Sequence, residues 1–112
     1  MVKQYTPRRG DIVFINFNPQ SGKEQSGKRP ALIISPTTYN EKVGLAIMLP
    51  ITNKAKGYPF EILLPKKLKT KGAILTDHVK NLDWKSRKAK FVEKLPTETY
   101  TEVISRLNLL TN

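Results

Sequence analysis

The 112-residue sequence predicts a mainly β fold with α additions, a small β-barrel followed by a C-terminal amphipathic helix. Three observations predict it. Short runs of β-branched and aromatic residues recur along the chain, with Gly, Pro and Asn between them. The first of these runs is mostly apolar on both faces, as in a strand covered on both sides or curled into a barrel. The last stretch instead repeats its apolar residues at helical spacing.

Residues 11–17 form the first expected strand, with Val13, Ile15 and Phe17 on one face and Ile12, Phe14 and Asn16 on the other. Residues 18–28 read as a loop rich in glycine and cations. Arg29 stands before Pro30, which biases it toward an extended backbone, so it is expected to open a second strand, 29–35. Residues 35–42 can hold a helical turn that Val43 and Gly44 close. A third strand, 45–49, is expected to stop at Pro50, leaving Thr52 just past its end. Residues 54–57 form a basic turn, 60–64 a fourth strand, 66–71 a lysine-rich hairpin tip and 72–75 a fifth strand. A further short strand is expected near 89–92. Tyr100, Val103, Ile104, Leu107 and Leu110 give the helix 97–110 one apolar stripe. That stripe must bury against the sheet or another subunit, and with Trp84 it predicts a homodimer.

Composition narrows the function. The length suits one domain spanning 1–112. No cysteine is present, so disulfides, thiolate metal sites and cysteine nucleophiles are excluded, and the single histidine, His78, excludes a multi-histidine metal centre. Residues 1–7 carry no apolar core of a signal sequence and no stretch approaches a membrane span. A soluble, cytoplasmic protein without a membrane partner is expected. Net charge is +11, from 20 basic and 9 acidic residues. Such an excess favours a polyanionic partner, nucleic acid first, though a lysine-rich surface kept for solubility has the same composition.

Phosphate-binding glycine loops, nucleophile elbows and metal-spaced acidic clusters are all missing. What remains is a set of polar residues at strand ends: Asn16, Glu24, Lys28, Arg29, Thr52, Asp77 and His78. Metal-free RNA cleavage is a reaction such a set can carry, because the RNA supplies its own 2′-hydroxyl nucleophile. The protein then needs a base, donors for the charge developing on phosphorus, and an acid for the leaving 5′-oxygen. Arg29 suits charge stabilisation, since its planar fork matches two phosphate oxygens. Thr52 can add a hydrogen bond. Asp77, Glu24 or His78 can be the base, with His78 closest to neutrality at an ordinary pKa of about 6.5. Each residue also has a plain structural reading. Arg29 can be a surface ion-pair partner and Glu24 a counter-charge for Lys23 or Lys28. Thr52 and Asp77 can cap turns, and His78 can be structural.

The arrangement Gly10-Asp11-Ile12, Asn18-Pro19 and Gly22-Lys23-Glu24-Gln25-Ser26-Gly27-Lys28-Arg29-Pro30-Ala31 resembles the MazF/PemK toxins of bacterial toxin–antitoxin systems. Ser35-Pro36, Pro50-Ile51-Thr52, Lys56-Gly57-Tyr58-Pro59-Phe60-Glu61, Asp77-His78-Val79-Lys80, Trp84 and Arg87 continue the likeness, which covers essentially the whole chain and is closest to the MazF branch. The resemblance implies an SH3-like barrel of the CcdB/PemK type, a homodimer, no cofactor, and metal-independent, sequence-specific cleavage of single-stranded RNA to 2′,3′-cyclic phosphate and 5′-hydroxyl ends. It implies catalytic roles for Arg29 and Thr52, and RNA-binding or supporting roles for Asn16, Phe17, Glu24, Lys28, Asn53, Lys56, Asp77, His78 and Lys80. It also implies a cognate antitoxin that lays an acidic, flexible C-terminal segment along the RNA groove, and DNA binding through that complex.

The chain departs from the family at three places. Thr52-Asn53 stands where paired threonines are common, His78 where glutamine is common, and Leu75 where PemK-type members carry an arginine. The PemK assignment of acid and base therefore does not transfer, and the general base or acid stays open among Asp77, Glu24, His78 and Arg29. Two other functions fit the same fold: a CcdB-like toxin that acts without catalysis on a protein such as gyrase, and a plain RNA-binding module held by phosphate contacts.

Overall fold

Apolar residues alternate to two faces along the first strand, and each face reaches a core in the structure, a computed structural model that describes residues 4–18 and 27–111, although Phe14 stays exposed. β1 (Asp11–Asn16) sends Val13 and Ile15, with Phe17 just beyond it, into one core and Ile12 into a second. β2 (Lys28–Ile33) runs antiparallel to β1, pairing Arg29 with Ile15 and Leu32 with Ile12. α1 (Thr37–Val43) leads to β3 (Ala46–Thr52), which lies along the other side of β2. β4 (Glu61–Leu63), β5 (Ala73–Leu75), β6 (Lys80–Leu82), β7 (Lys90–Lys94) and α2 (Thr97–Thr111) follow. The antiparallel strands lie in the order β4-β5-β3-β2-β1-β7, with β6 attached to β3. Among the described residues no helix is long and apolar enough to cross a membrane.

One core gathers Ile12, Leu32, Leu49, Ile51 and Ile74 against Val103 and Tyr100 of α2. The other gathers Val13, Ile15, Phe17, Ile33 and Met48 against Trp84. Trp84 is thus buried within its own chain and needs no second subunit to cover it. Its indole N–H donates to the Asn40 carbonyl at 2.9 Å. Asn40, in α1, is fully buried and satisfied: its carboxamide oxygen accepts from Ser35 Oγ at 2.5 Å, and its nitrogen donates to the carbonyls of Pro7 at 2.8 Å and Ser35 at 3.2 Å. The helix stripe is buried only in part. Val103 is enclosed, whereas Leu109 and Leu110 in the last turn are exposed. Arg106 meets Glu102 one turn back and donates to the Pro59 carbonyl, so it braces α2 against the approach to β4.

The structure departs from the expected elements in ways that have physical causes. β3 does not stop at Pro50. Residues 46–48 pair with β6 and residues 51–52 with β5, so Pro50 falls between two ladders where its missing N–H is not called upon. Thr52 is in consequence the last residue of β3, paired with Ala73, rather than a residue beyond it. β6, Lys-Asn-Leu, carries no β-branched or aromatic residue and so gave no strand signal; its pairing with β3 holds it. β2 begins one residue earlier and ends two earlier than expected, and β7 begins one residue later and ends two later.

Among the described residues the barrel is also not closed by hydrogen bonds, since β4 and β7 end the ladder without pairing with each other. A side chain spans part of that seam. The Glu93 carboxylate on β7 accepts the N–H groups of Lys69 and Thr70, at 3.1 and 2.7 Å, and the Thr70 hydroxyl at 2.7 Å. Burial pushes the Glu93 carboxyl up, but these donors outweigh it and hold its pKa below the ordinary 4.5. A depressed carboxylate stabilises the fold above its unfolded pKa, and that contribution fades as pH falls through the folded value. Glu93→Gln is expected to cost about 1–2 kcal/mol at pH 7. In urea unfolding the gap from wild type should narrow as the pH falls below 4.5; a gap that does not change with pH would refute the clasp.

Candidate active site

β1, β2 and β3 present strand termini at one end of the sheet, and of the predicted polar residues Asn16, Lys28, Arg29 and Thr52 lie there because they sit at or next to the ends of those strands. Continuing the β2–β3 register from Ala31↔Pro50 sets Arg29 across from Thr52. Both line a cavity of about 620 Å3, together with Lys54, Lys56, Tyr58, Glu61, Leu75 and His78. Thr52 is buried, 7% exposed, and its Oγ accepts the Lys54 N–H at 3.1 Å. It therefore caps a turn, and the O–H proton is left for a bound group. The Glu61 carboxylate takes both the Lys56 N–H, at 2.9 Å, and the Gly57 N–H, at 2.6 Å. That anchors the basic turn so that Lys54 and Lys56 stand on the cavity wall.

Asp77 and His78 leave the end of β5 in a turn closed by the His78 N–H to the Leu75 carbonyl, 3.2 Å. His78 lines the cavity, whereas Asp77 joins it through its neighbours. Its Oδ1 accepts the Tyr58 hydroxyl at 2.8 Å and lies 3.9 Å from His78 Nε2. Burial, followed by the bond to Asp77, pushes the Tyr58 hydroxyl up to about 12. The Tyr58 hydroxyl therefore keeps its proton and uses it in the hydrogen bond to Asp77. His78 lines the cavity and Asp77 does not; Glu24 lies outside the described residues.

The remaining predicted residues divide by parity. Lys28 and Asn53 line a second cavity, which Arg29 also borders. Phe17 is fully buried beside Trp84, so its ring supports the strand end from within and is not a contact surface. Asn16 braces the stem of the 19–26 segment. Its Oδ1 accepts the Asn18 N–H at 2.9 Å and its carbonyl accepts Arg87 Nη1 at 3.2 Å. Arg87 also donates to the Asn18 carbonyl at 2.9 Å, and Asn18 Oδ1 accepts the Gly27 N–H at 2.9 Å. Lys80 opens β6 opposite Met48 and borders neither cavity. Residue types and spacing did not single out Tyr58, Glu61 or Lys54. The run from Lys56 to Glu61 was a signal, since a carboxylate four residues after a glycine turn is placed to cap that turn's N–H groups.

The chain as a whole has counterparts among known proteins. Residues 8–111 match the model of the PemK-like, MazF-like toxins of type II toxin–antitoxin systems. The chain is 37% identical over 110 residues to the endoribonuclease toxin MazF of Escherichia coli K12, covering 98% of each. It is 32% identical over 106 residues to the endoribonuclease PemK of Escherichia coli, covering 91% of this chain and 80% of that one. Among solved structures, MazF (Form-I) of Deinococcus radiodurans superposes with a TM-score of 0.93 at 45% identity, covering 96% of this chain and 98% of its own. A MazE–MazF structure (Form-II) from the same organism gives 0.88 at 45% identity, covering 96% and 97%. The chain belongs to the PemK-like, MazF-like toxin family of type II toxin–antitoxin systems.

Proposed function

We propose that this chain is the toxin of a type II toxin–antitoxin pair, a cytoplasmic endoribonuclease on one domain that cuts single-stranded RNA at chosen sequences without a metal. The observation that carries the reading is Arg29 facing Thr52 in a lysine-walled cavity at the strand ends. A phosphodiester seated there meets a forked cation and a hydroxyl donor from a rigid sheet, which is the arrangement that stabilises charge developing on phosphorus. The 2′-oxygen attacks phosphorus and loses its proton to a base. The P–O5′ bond breaks and the 5′-oxygen takes a proton, leaving a 2′,3′-cyclic phosphate and a 5′-hydroxyl. Arg29 binds the non-bridging oxygens and Thr52 donates to one of them. Lys54 and Lys56 hold the flanking phosphates.

The relatives' printed names support the activity, and solved MazE–MazF pairs support a cognate antitoxin partner. An acidic, flexible antitoxin segment would satisfy the same cations that hold RNA. A homodimer is supported by the uncovered last turn of α2, where Leu109 is 70% exposed. The test is digestion of single-stranded RNA in EDTA with the product ends identified. Cyclic phosphate and 5′-hydroxyl ends are expected; RNA left intact, or cut only with added metal, refutes the reading.

A further inference from the structure

Side-chain parity along β1, β2 and β3 puts Arg29, Thr52 and Ala31 toward one face, and Phe14, Lys28 and Asn53 toward the other. A separate cavity of about 400 Å3 lies on that other face, where the sheet stays open between β7 and the β4–β5 hairpin. Its floor includes Ile51 and Val92, its walls Phe14, Asn53, Lys28 and Lys71, and Arg29 borders it as it borders the first. Resting on the endoribonuclease reading, we propose that this cavity holds one unpaired base of the substrate, next to the scissile phosphate, stacked on Phe14 and read by the Asn53 amide.

Phe14 is 42% exposed, although Val13 and Ile15 on either side of it are at most 1% exposed. An aromatic ring left at the mouth of an apolar-floored cavity offers a stacking platform, and every base has a π-face to meet it. Asn53 adds one donor pair and one acceptor, the pattern that reads a base edge. Lys28 and Lys71 place positive charge where the sugar–phosphate chain enters, and among the described residues no carboxylate borders the cavity. The chain itself enforces the link: a base hangs one sugar away from its phosphate. A phosphate on Arg29 therefore brings one neighbouring base over the strand ends to the second cavity.

Two measurements test the subsite. A randomised single-stranded RNA pool is cut by wild type and Asn53→Asp, and the ends are sequenced. The aspartate variant should change the base preferred at one position beside the cut and leave the others as they were. RNA oligonucleotides blocked by a 2′-deoxy sugar at the cut are then titrated against wild type, Phe14→Leu and Phe14→Ala. An abasic residue is walked through the site. Phe14→Ala should weaken binding about tenfold, and that loss should vanish when the abasic residue occupies the same position. An unchanged preference with Asn53→Asp, or a Phe14→Ala loss that persists on every abasic oligonucleotide, overturns the subsite. A wild type that binds with a penalty at a single abasic position yet never cuts RNA refutes the nuclease reading alone and leaves the base subsite standing.

Discussion

Arg29→Ala is expected to lower RNA cleavage by about a thousandfold, the scale on which a preorganised donor to a transition-state oxyanion acts, while the protein stays folded. Arg29 is half-exposed at the second position of β2, and its neighbours across the sheet are held by their own ladder bonds. Losing its side chain removes little from either core, so the stability cost should be about 1 kcal/mol or less. The two halves of the expectation separate catalysis from scaffolding. Single-turnover cleavage read beside urea unfolding decides it. Arg29→Lys should recover only part of the rate, because an ammonium keeps the charge but not the fork that spans two oxygens. Cutting by Arg29→Ala at the wild-type rate, or loss of its cooperative unfolding, would defeat the assignment.

Most of the fold was legible because its signals are local. β1 announces itself through Asp11–Asn16, where β-branched residues alternate to two faces, and α2 through Val103 and its helical neighbours. What was not legible depends on partners far along the chain. Pro50 reads as a strand terminator until β5 and β6 are seen to share β3 between them. Lys80–Leu82 has no strand character until Met48 lies opposite. Trp84, read as a surface demanding a second subunit, is satisfied by a core built from β1, β2 and β3 and by the Asn40 carbonyl.

The site was legible to the same degree. Arg29, Thr52 and His78 could be picked out as polar residues at strand ends, and they line one cavity; Lys56, on the same wall, was reached only through the family resemblance. Residue type alone says nothing about which of two faces a strand-end residue serves. Lys28 and Asn53 therefore separate from Arg29 and Thr52 only once register is known. Phe17 and Phe14, three residues apart, point to opposite faces: the first is in the core and the second at the surface. Tyr58 could not be found from spacing, because Asp77 lies 19 residues away and is brought to it by the β4–β5 pairing.

Gly72→Ala is expected to do more damage to the fold than any substitution in the cavity wall. Gly72 precedes β5 with φ +113, a backbone conformation that side chains resist. The closer constraint is contact. A Cβ there would lie 2.0 Å from the Thr52 carbonyl oxygen and 2.8 Å from its carbon. Those atoms are backbone, and the Thr52–Ala73 pair beside them fixes β3 to β5, so no side chain can swing aside to make room. The sheet must part at the residue that carries the candidate hydroxyl. A loss of about 3 kcal/mol or more follows from backbone strain and a broken ladder together. Gly57→Ala is the control, since Gly57 has φ +82 but nothing within 4 Å of the added carbon. It should cost about 1 kcal/mol, the left-handed backbone alone. Cleavage measured well below the unfolding midpoint should drop for Gly72→Ala, because Thr52 moves with the displaced strand, and with it Asn53, whose Cα would lie 3.0 Å from the new carbon. Equal stability losses for the two glycine variants would mean that only the backbone angle matters at Gly72. A full rate from folded Gly72→Ala would mean that the position of Thr52 does not govern the chemistry.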